Sequence, residues 1–377
     1  MLFRPSKSGH WSNCAAYVAL TKDYPNRSND AALEGTAVMS VIESVINGDA
    51  SSAVDYEGET HRNGWLITKD MCDDAQEFIN WLDGFNSVEG ELISEQYVTA
   101  ADGENGEPHI AGTLDVRTIA VGAGAFDTPC LHIVDFKYGH RTVEVKDNTQ
   151  LIIYAYGEAK RIGWQGPVKI WIYQPRVVHR HGIARSQTFE GEHLAYAFEK
   201  LRNMALEGMK PEPIATAGPH CRDCEAATKC VALRETTHNL FEVIQSRETH
   251  SMSASDLSRE LKFIDAAKPT VNAYFDAVVT EAEERIKNEN IPDYAATSKY
   301  GKRRFKAEVS TIMLMTGVDP QEKKTCTPAE LERRLVKTGK TKPEAKELVS
   351  KLTITPKTGM KLHRVDDDDV STIFEGK

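Results

Sequence analysis

Three charged residues, Asp115, Asp135 and Lys137, have types and a spacing that suit phosphoryl chemistry. Asp135 and Lys137 stand two residues apart in "IVDFKYG", and Asp115 stands in "GTLDVRTI". Residues i and i+2 of a strand share a face, so Asp135 and Lys137 point to the same side. Two carboxylates on adjacent strands make a site for Mg²⁺, which fills its remaining positions with water and substrate phosphate. A neighbouring lysine can orient the attacking water and offset the charge that develops on phosphorus.

Taken alone, Asp135 and Lys137 also have a simpler interpretation. A buried unpaired charge is costly, so the two side chains can form an ion pair with each other on a half-exposed strand. Asp115 favours the metal site, because a hairpin connection would bring it beside Asp135. Both interpretations predict that this face of the strand is polar.

The elements that would position these residues follow from the hydrophobic pattern. From about residue 90 the chain reads as three strands, a helix and a further strand, an order β-β-β-α-β. The predicted helix "DNTQLIIYAYGEAKRIG" has Asp147 or Asn148 as its N-cap and Gly163 beyond its end. Two earlier helices are predicted over residues 29–48 and 68–85. The pattern therefore predicts an α/β protein.

This arrangement resembles the PD-(D/E)xK nucleases, and specifically their RecB-type branch. The resemblance rests on Asp115, on the Asp135-x-Lys137 pair of the next strand, and on Gln150-x-x-x-Tyr154 of the following helix. It covers roughly residues 10–235 of the chain. It implies a restriction-endonuclease-like core, with a central mixed sheet flanked by helices and a mostly helical C-terminal extension.

The resemblance also implies a role for each residue of the motif. Asp115, Asp135 and the backbone carbonyl of Phe136 would bind Mg²⁺ or Mn²⁺, and Lys137 would be the catalytic lysine. The remaining two motif residues, which help to hold the substrate or the site, would be Gln150 and Tyr154.

One position departs from the pattern of that branch. The helix "EGTAVMSVIE" has Met39 where the branch usually has a metal-binding His, and a thioether is a poor ligand for Mg²⁺. Glu43 lies one helical turn later on the same face, so we predict it as the substitute ligand; the alternative is an exposed helix residue. Glu34, just upstream, and Glu95, on a strand expected to pair beside Asp115, are further acids considered for this site; the simpler interpretation of Glu95 is a polar residue on a half-exposed strand. The change at Met39 leaves weakened or lost catalysis as an alternative outcome.

The cysteines indicate a second centre. Seven cysteines are an odd number, which argues against a disulfide framework. Cys221, Cys224 and Cys230 form a Cys-x2-Cys-x5-Cys pattern in "HCRDCEAATKC", which lets three thiolates converge on one centre. His220 would complete a zinc site of the Cys3His type, and Cys14 is the other candidate for the fourth ligand.

RecB-type nucleases that carry an iron–sulfur cluster are similar in having one cysteine near the N-terminus and this spacing after the core. The resemblance implies a 4Fe–4S cluster that staples the two ends of the domain, with the ligands Cys14, Cys221, Cys224 and Cys230. Zinc and free thiols are the alternatives. The other cysteines are predicted to be ordinary thiols: Cys72, Cys130 and Cys326.

Charge is distributed unevenly along the chain. The net charge is −10, yet residues 298–364 contain 17 Lys and Arg against 7 Asp and Glu. The stretch "KYGKRRFK" mixes charge with aromatic rings, as single-stranded DNA-binding surfaces do; a solvated basic surface is the alternative. The predicted DNA contacts of this stretch are Lys302, Arg303, Arg304 and Lys306. The following helical region would be a DNA clamp or a docking surface for another protein.

Together these features predict a nuclease domain at 1–245 and a helical, basic domain at 250–377. The resemblance implies a metal-dependent DNA exonuclease that acts on ends or single strands in phage recombination or replication, with a phage protein as a partner of the C-terminal domain. A nuclease-fold DNA-binding or scaffold protein without turnover is the alternative from another class, and a zinc-stapled adaptor is a third. The sequence has no signal peptide and no apolar run of roughly 18 residues, which predicts a cytoplasmic protein without a membrane partner, in a bacterial host if phage-encoded.

Overall fold

The computed structural model of the chain describes residues 1–24, 30–87, 92–121, 129–246, 253–286 and 341–350, with the single positions 288, 289, 291, 292, 294, 333, 335 and 336. The chain divides into two compact units, Met1–Ala296 and Thr297–Lys377. The division near residues 245–250 stays a prediction. The basic stretch that contains Lys302 and Arg304 lies outside the described residues, as does Cys326.

Seven strands form one mixed sheet. They are β1 (Leu2–Phe3), β2 (Asn86–Ser87), β3 (Ile93–Asp102), β4 (His109–Val121), β5 (Cys130–Phe136), β6 (Val168–Tyr173) and β7 (Ala184–Phe189). The path runs β1-β4-β5-β6-β7, and β2 and β3 also pair with β4. Strand β4 is antiparallel to β3 and β5, β5 is parallel to β6, and β6 is antiparallel to β7.

The helices of the described residues include those that flank this sheet, the long helix that follows them in the first unit and one helix of the second unit. They are α1 (Ser8–Trp11), α2 (Tyr17–Thr21), α3 (Asp30–Ile46), α4 (Lys69–Leu82), α5 (Thr149–Ile162), α6 (Gly191–Gly208), α7 (Val231–Ser246), α8 (Ala254–Arg285) and α9 (Lys342–Ser350). The predicted α/β class, the order β-β-β-α-β and the helical C-terminal region are confirmed. No helix among the described residues is both long enough and apolar enough to cross a membrane.

Both faces of the sheet are covered by hydrophobic cores. On one face, Leu151 of α5 packs with Ile133 of β5. On the other, Ile42 of α3 and Phe78 of α4 pack with Phe136. Every residue of β5 is buried as a result. A strand covered on both faces holds its backbone firmly, so the polar side chains at its end have fixed positions.

The caps of α5 place its first turn next to the end of β5. Asn148 is the N-cap, and its side chain accepts a hydrogen bond of 3.1 Å from the backbone N–H of Leu151. Gly163 ends the helix in the left-handed conformation with φ 68°. Both positions were predicted from the sequence, and Asn148 rather than Asp147 is the cap. Gln150 follows the cap by two residues.

We expect the substitution Asn148→Ala to destabilise the protein by about 1 kcal/mol, the typical loss when an N-cap side chain is removed. The first turn of α5 loses its partner for the Leu151 N–H, so the turn that carries Gln150 frays. Thermal melting measures the effect, and Asn148→Asp is the matched control because Asp also caps. Equal melting temperatures for the Ala variant and the wild type would contradict this role.

Candidate active site

The pairing of β4 with β5 brings Asp115 beside Asp135. Val116 pairs with Val134 in the antiparallel register, which places Asp115 and Asp135 at the next pair of positions. The backbone N–H of Phe136 donates a hydrogen bond of 2.9 Å to Asp115 Oδ2. Burial and the negative charge of Asp135 raise the pKa of Asp115 to about 8. Two predicted metal ligands therefore lie close enough to oppose each other's ionisation.

Lys137 lies between Asp135 and Gln150. Its Nζ is 2.8 Å from Asp135 Oδ2 and donates hydrogen bonds of 3.1 Å to Asp135 Oδ1 and 3.3 Å to Gln150 Oε1. Gln150 Nε2 in turn donates to Asp135 Oδ1 at 3.1 Å. The ion pair left open by the sequence is thus present, and Asp115 lies beside it. Each of the three side chains contacts the other two, which fixes the direction of the lysine.

The charges of this group determine its protonation. Burial raises the pKa of Asp135, and the Lys137 ammonium acts against that rise. Burial alone would lower the pKa of Lys137, but the negative charges of Asp135 and Asp115 outweigh it and raise that pKa. Lys137 therefore stays a cation and donates hydrogen bonds rather than accepting a proton.

Tyr154 stands one helical turn after Gln150. Its burial and the charges of Asp135 and Asp115 raise the pKa of its phenol, which keeps the hydroxyl proton in place. Gly112 makes room for this ring: a Cβ there would lie 3.5 Å from Tyr154 Cε1 and 2.9 Å from Pro5 Cδ. The structure thus brings Tyr154 to the carboxylates, where its hydroxyl can donate.

Strands β3 and β4 are distorted where Glu95 faces Asp115. The register on either side places these two residues opposite each other, and Glu95 has a positive φ of 51°. The alternation of β4 also breaks, because Leu114 belongs to the core on the α5 face and Val116 to the core on the other face. Left-handed backbone at a non-glycine residue is strained and clusters at functional sites. The alternation of the sequence gave no sign of this distortion.

A row of acids extends from the site. Desolvation and the negative charge of Glu43 raise the pKa of Glu95. The charge of Glu95 in turn contributes to the raised pKa of Asp115. Glu43, half-buried on α3, is therefore an electrostatic neighbour of Glu95. Its direct contact with a metal ion stays a prediction.

The other two helix residues considered from the sequence have structural partners. Met39 packs against the core between α3, α4 and the sheet. Glu34 forms an ion pair of 2.7 Å with Arg176, whose guanidinium lies 4.5 Å from the centre of the Tyr138 ring. Glu34 is thus the partner of a cation and not a free carboxylate.

The carboxylate pair fits a hard divalent cation. In the part of the chain that the structure describes, no three His, Cys, Asp or Glu side chains stand in a ready-made metal-binding arrangement. Mg²⁺ needs only one or two protein carboxylates, however, and completes its shell with water and phosphate. Asp135 Oδ2 is buried and accepts no aligned hydrogen bond, and Asp115 carries a proton at neutral pH that a cation would displace. The carbonyl of Phe136 stays a predicted third ligand.

We expect Asp115→Asn to stabilise the metal-free protein at neutral and alkaline pH. Folding raises the pKa of Asp115 to about 8, above the unfolded value. The stability that goes with a raised pKa is complete below the unfolded pKa and is lost as the pH rises through the folded pKa. Asn has no proton to lose, so melting temperatures in EDTA should fall less steeply for the variant between about pH 5 and pH 9.

Magnesium provides the internal control for that comparison. Added Mg²⁺ should raise the melting temperature of the wild type and have a smaller effect on Asp115→Asn, since binding to the folded state stabilises it. The matched control, Asp265→Asn, changes an exposed acid on α8. Identical pH profiles of the melting temperature for the wild type and Asp115→Asn would show that folding does not raise the pKa of Asp115.

Predicted ligands of the cysteine centre lie near His220, although no ready-made metal-binding arrangement is present there in the described part of the chain. Hydrogen bonds with the thiols of Cys14 and Cys221 raise the pKa of His220 to about 10. Burial acts to raise the pKa of Cys14, but the hydrogen bond from His220 lowers it overall. Burial, with a contribution from the charges of Cys221 and Cys14, raises the pKa of Cys224 to about 12. Three of the four predicted thiols therefore lie near one another.

The backbone near Cys221 and Cys224 has a tight turn and an N–H group directed at a thiol. Asp223, between Cys221 and Cys224, has a positive φ of 59°, which turns the chain tightly. The N–H of Gly218 lies 3.4 Å from Cys221 Sγ as a hydrogen-bond donor, as is common at metal-bound sulfur. Cys230 packs against the same small core as Cys221. Four thiols suit an iron–sulfur cluster, and three thiols with the imidazole suit zinc.

Side-chain contacts fasten the N-terminal segment to this region. Lys7 Nζ donates to Glu225 at 2.7 Å, Tyr17 OH donates to Glu225 at 2.9 Å, and His10 Nδ1 lies 2.7 Å from the carbonyl oxygen of His220. We call these contacts the N-terminal latch. The sequence analysis predicted a staple through Cys14 but not this latch, which the spacing of its residues does not reveal.

The remaining described cysteines lie in the hydrophobic cores. Cys72 is fully buried on α4, and Cys130 is 2% exposed at the start of β5. Burial raises the pKa of the Cys130 thiol to about 11. Both agree with the prediction of ordinary packed thiols.

A comparison with known protein families gives a match over nearly the whole chain. The family model described as "Protein of unknown function (DUF2800)" matches residues 2–369. The match includes both carboxylates, the lysine and all four cysteines of the two candidate centres. The chain therefore belongs to the DUF2800 family.

Proposed function

We propose that this protein is a metal-dependent DNA nuclease of the RecB-type PD-(D/E)xK class. The observation that carries the proposal is the group formed by Asp115, Asp135 and Lys137. Two carboxylates adjoin across β4 and β5, and a lysine held at 2.8 Å from one of them remains protonated. Such a group combines a cation site with a fixed positive charge, which is what phosphodiester hydrolysis requires.

Each side chain has a definite task in this proposal. Asp115 and Asp135 would hold Mg²⁺ or Mn²⁺; when bound, the ion would lower the pKa of a coordinated water and neutralise charge on the phosphate. Lys137 donates hydrogen bonds to the incoming water or to a phosphate oxygen and offsets negative charge as it grows. Gln150 fixes Lys137 and Asp135 relative to each other, and Tyr154 supplies a further donor at the same face.

The cysteine centre has a structural task in the proposal. Cys14, Cys221, Cys224 and Cys230 would hold a 4Fe–4S cluster, with zinc bound by three cysteines and His220 as the alternative. Either group, when bound, would supply cross-links between the N-terminal segment and the turn before α7. The N-terminal latch already brings the same two segments together, so the centre reinforces contacts that the chain makes itself.

The cellular role follows from the resemblance stated above. We propose exonuclease action on DNA ends or single strands during phage recombination or replication, in the cytoplasm of a bacterial host. The basic segment at residues 298–364 would bind DNA or a phage recombination or replication protein. Little sequence specificity is expected, because contacts with the backbone carry no base information.

Met39 favours a second candidate function. Its thioether replaces the imidazole usual in the branch and packs against the core, so the metal site relies on fewer protein ligands. A protein that binds DNA through the nuclease fold without cutting it would tolerate this replacement.

One assay separates these functions. Labelled linear single-stranded, linear double-stranded and closed circular DNA are incubated with Mg²⁺ or Mn²⁺ and either the wild type, Asp135→Ala or the control Asp265→Ala, which changes an exposed acid on α8. The proposal predicts that the wild type and the control degrade linear DNA and that Asp135→Ala does not. Cleavage of circular DNA would make the enzyme an endonuclease. DNA binding without any metal-dependent cleavage would favour the second candidate.

A further inference from the structure

Two segments beside Lys137 carry a local excess of positive charge. They are residues 139–146, which follow β5, and residues 174–183, which connect β6 to β7; together we call them the basic rim. The rim contains four Lys or Arg residues, three His residues and one acid, Glu144. The whole chain has a net charge of −10, so this concentration of positive charge is a local feature.

The rim adjoins the candidate active site. Strands β5 and β6 are parallel, so both segments leave the sheet at the same edge. The N–H of Lys137 donates a backbone hydrogen bond of 2.9 Å to the carbonyl of Tyr173, which directly precedes the second segment. The first segment of the rim therefore begins two residues after Lys137. The second segment begins next to the residue that is hydrogen-bonded to Lys137.

A buried pair of polar side chains locks the two segments together. Gln174 is 0% exposed, and its Nε2 donates to the carbonyls of Gly139 at 2.9 Å and Arg141 at 2.8 Å. Arg185, 4% exposed, donates to Gln174 Oε1 at 2.8 Å and to the carbonyl of Val143 at 2.9 Å. Hydrogen bonds between buried polar groups are strengthened by the low-dielectric interior and favour one geometry, although Nε of Arg185 has no hydrogen-bond partner among the described residues. The rim is thus held in place before any ligand arrives.

Three cations of the rim are available to a ligand. Arg180 and Lys146 are exposed and form no ion pair with a described residue. Arg141 is exposed and meets Asp223 at 3.2 Å in a solvated pair, which is weak in water. Arg176 differs, because Glu34 and the Tyr138 ring already engage it.

We infer that the basic rim binds the phosphate backbone of the DNA strand whose scissile phosphate lies at Lys137. The inference rests on the proposed function for the position of that phosphate. Guanidinium groups bind phosphate oxygens in a bidentate manner, and a rim fixed by Gln174 and Arg185 loses little conformational freedom on binding. The rim would be a DNA-binding surface of the first unit, and its residues are different from those of the basic stretch after residue 298.

The test measures binding without turnover. Fluorescence anisotropy of a labelled single-stranded oligonucleotide in EDTA is followed over a series of salt concentrations. The double variant Arg141→Ala/Arg180→Ala should bind about tenfold more weakly, as for two lost contacts between solvent-exposed charges. Its salt slope should fall by about 1.4, since each phosphate contact to a single strand contributes about 0.7.

Two further variants control for charge and folding. Arg259→Ala/Lys262→Ala removes the same charge from an exposed face of α8 and should leave the affinity and the slope near those of the wild type. Arg141→Lys/Arg180→Lys should restore most of the affinity. Thermal melting of all variants confirms that each is folded.

The inference is overturned if the wild type does not bind the oligonucleotide, or if the rim variant has the affinity and slope of the wild type. These outcomes are independent of cleavage. A wild type that binds through the rim but never cuts DNA removes the proposed function and the scissile phosphate with it, and leaves the rim as a binding site for the DNA backbone. A wild type that cuts DNA while the rim variant binds with normal affinity supports the proposed function and overturns the inference about the rim.

Discussion

Lys137→Met should slow metal-dependent DNA cleavage by about a hundred- to a thousandfold, the range found when one preorganised electrostatic contact to a transition state is removed. Lys137 is held by Asp135 and Gln150 and stays protonated, so its charge is in place before substrate binds. Met keeps most of the length of the side chain and removes the charge. The loss should therefore appear in kcat rather than in the affinity for DNA.

The fold should survive this substitution, although a buried cation is removed. Asp115, with a pKa of about 8, already carries a proton at neutral pH. Without the Lys137 charge the pKa of Asp135 rises further, so Asp135 can take up a proton as the lysine charge is lost. Lys262→Ala, on the exposed face of α8, is the matched control and should cut DNA at the rate of the wild type. A folded Lys137→Met protein with normal kcat would remove Lys137 from the catalytic machinery.

The second large effect is expected for Cys224→Ala, which should abolish the metal content of the cysteine centre and markedly lower the melting temperature. Metal centres of this kind contribute folding free energy directly. The loss should also loosen the N-terminal segment, because the proposed centre would join Cys14 of that segment to Cys224 of the turn before α7. Iron, sulfide and zinc analysis of anaerobically purified protein, together with thermal melting, measures both effects.

Cys72→Ala provides the matched control, since Cys72 is a fully buried thiol in another part of the first unit. It should lose some packing energy but keep the full metal content. Iron and sulfide in the wild type, absent from Cys224→Ala, would support the cluster. Zinc in their place would make the centre a zinc site with His220, and a wild type without any metal would show that these thiols hold none.

Much of the site followed from local rules. Alternation along β5 placed Asp135 and Lys137 on one face, and a hairpin between β4 and β5 placed Asp115 next to them. The cap at Asn148 set the start of α5 and so the position of Gln150. These rules act over a few residues, which is why a single sequence reveals them.

What the sequence did not reveal depends on contacts between distant residues. Lys7 and Glu225 are 218 positions apart, and no spacing rule links them. The left-handed conformation of Glu95 arises from the pairing of two strands, and its residue type gives no sign of it. The pair formed by Gln174 and Arg185 could not be recognised either, because both residues are polar and are usually exposed.

The most direct test of the central claim is the initial rate at which the purified wild-type protein releases nucleotides from end-labelled single-stranded DNA. The rate is measured in EDTA and again after excess Mg²⁺ or Mn²⁺ is added to the same sample. If a cation bound by Asp115 and Asp135 acts together with Lys137, no nucleotide is released in EDTA and sustained release begins once the cation is present. Equal rates with and without the cation, or no release in either condition, would contradict the account.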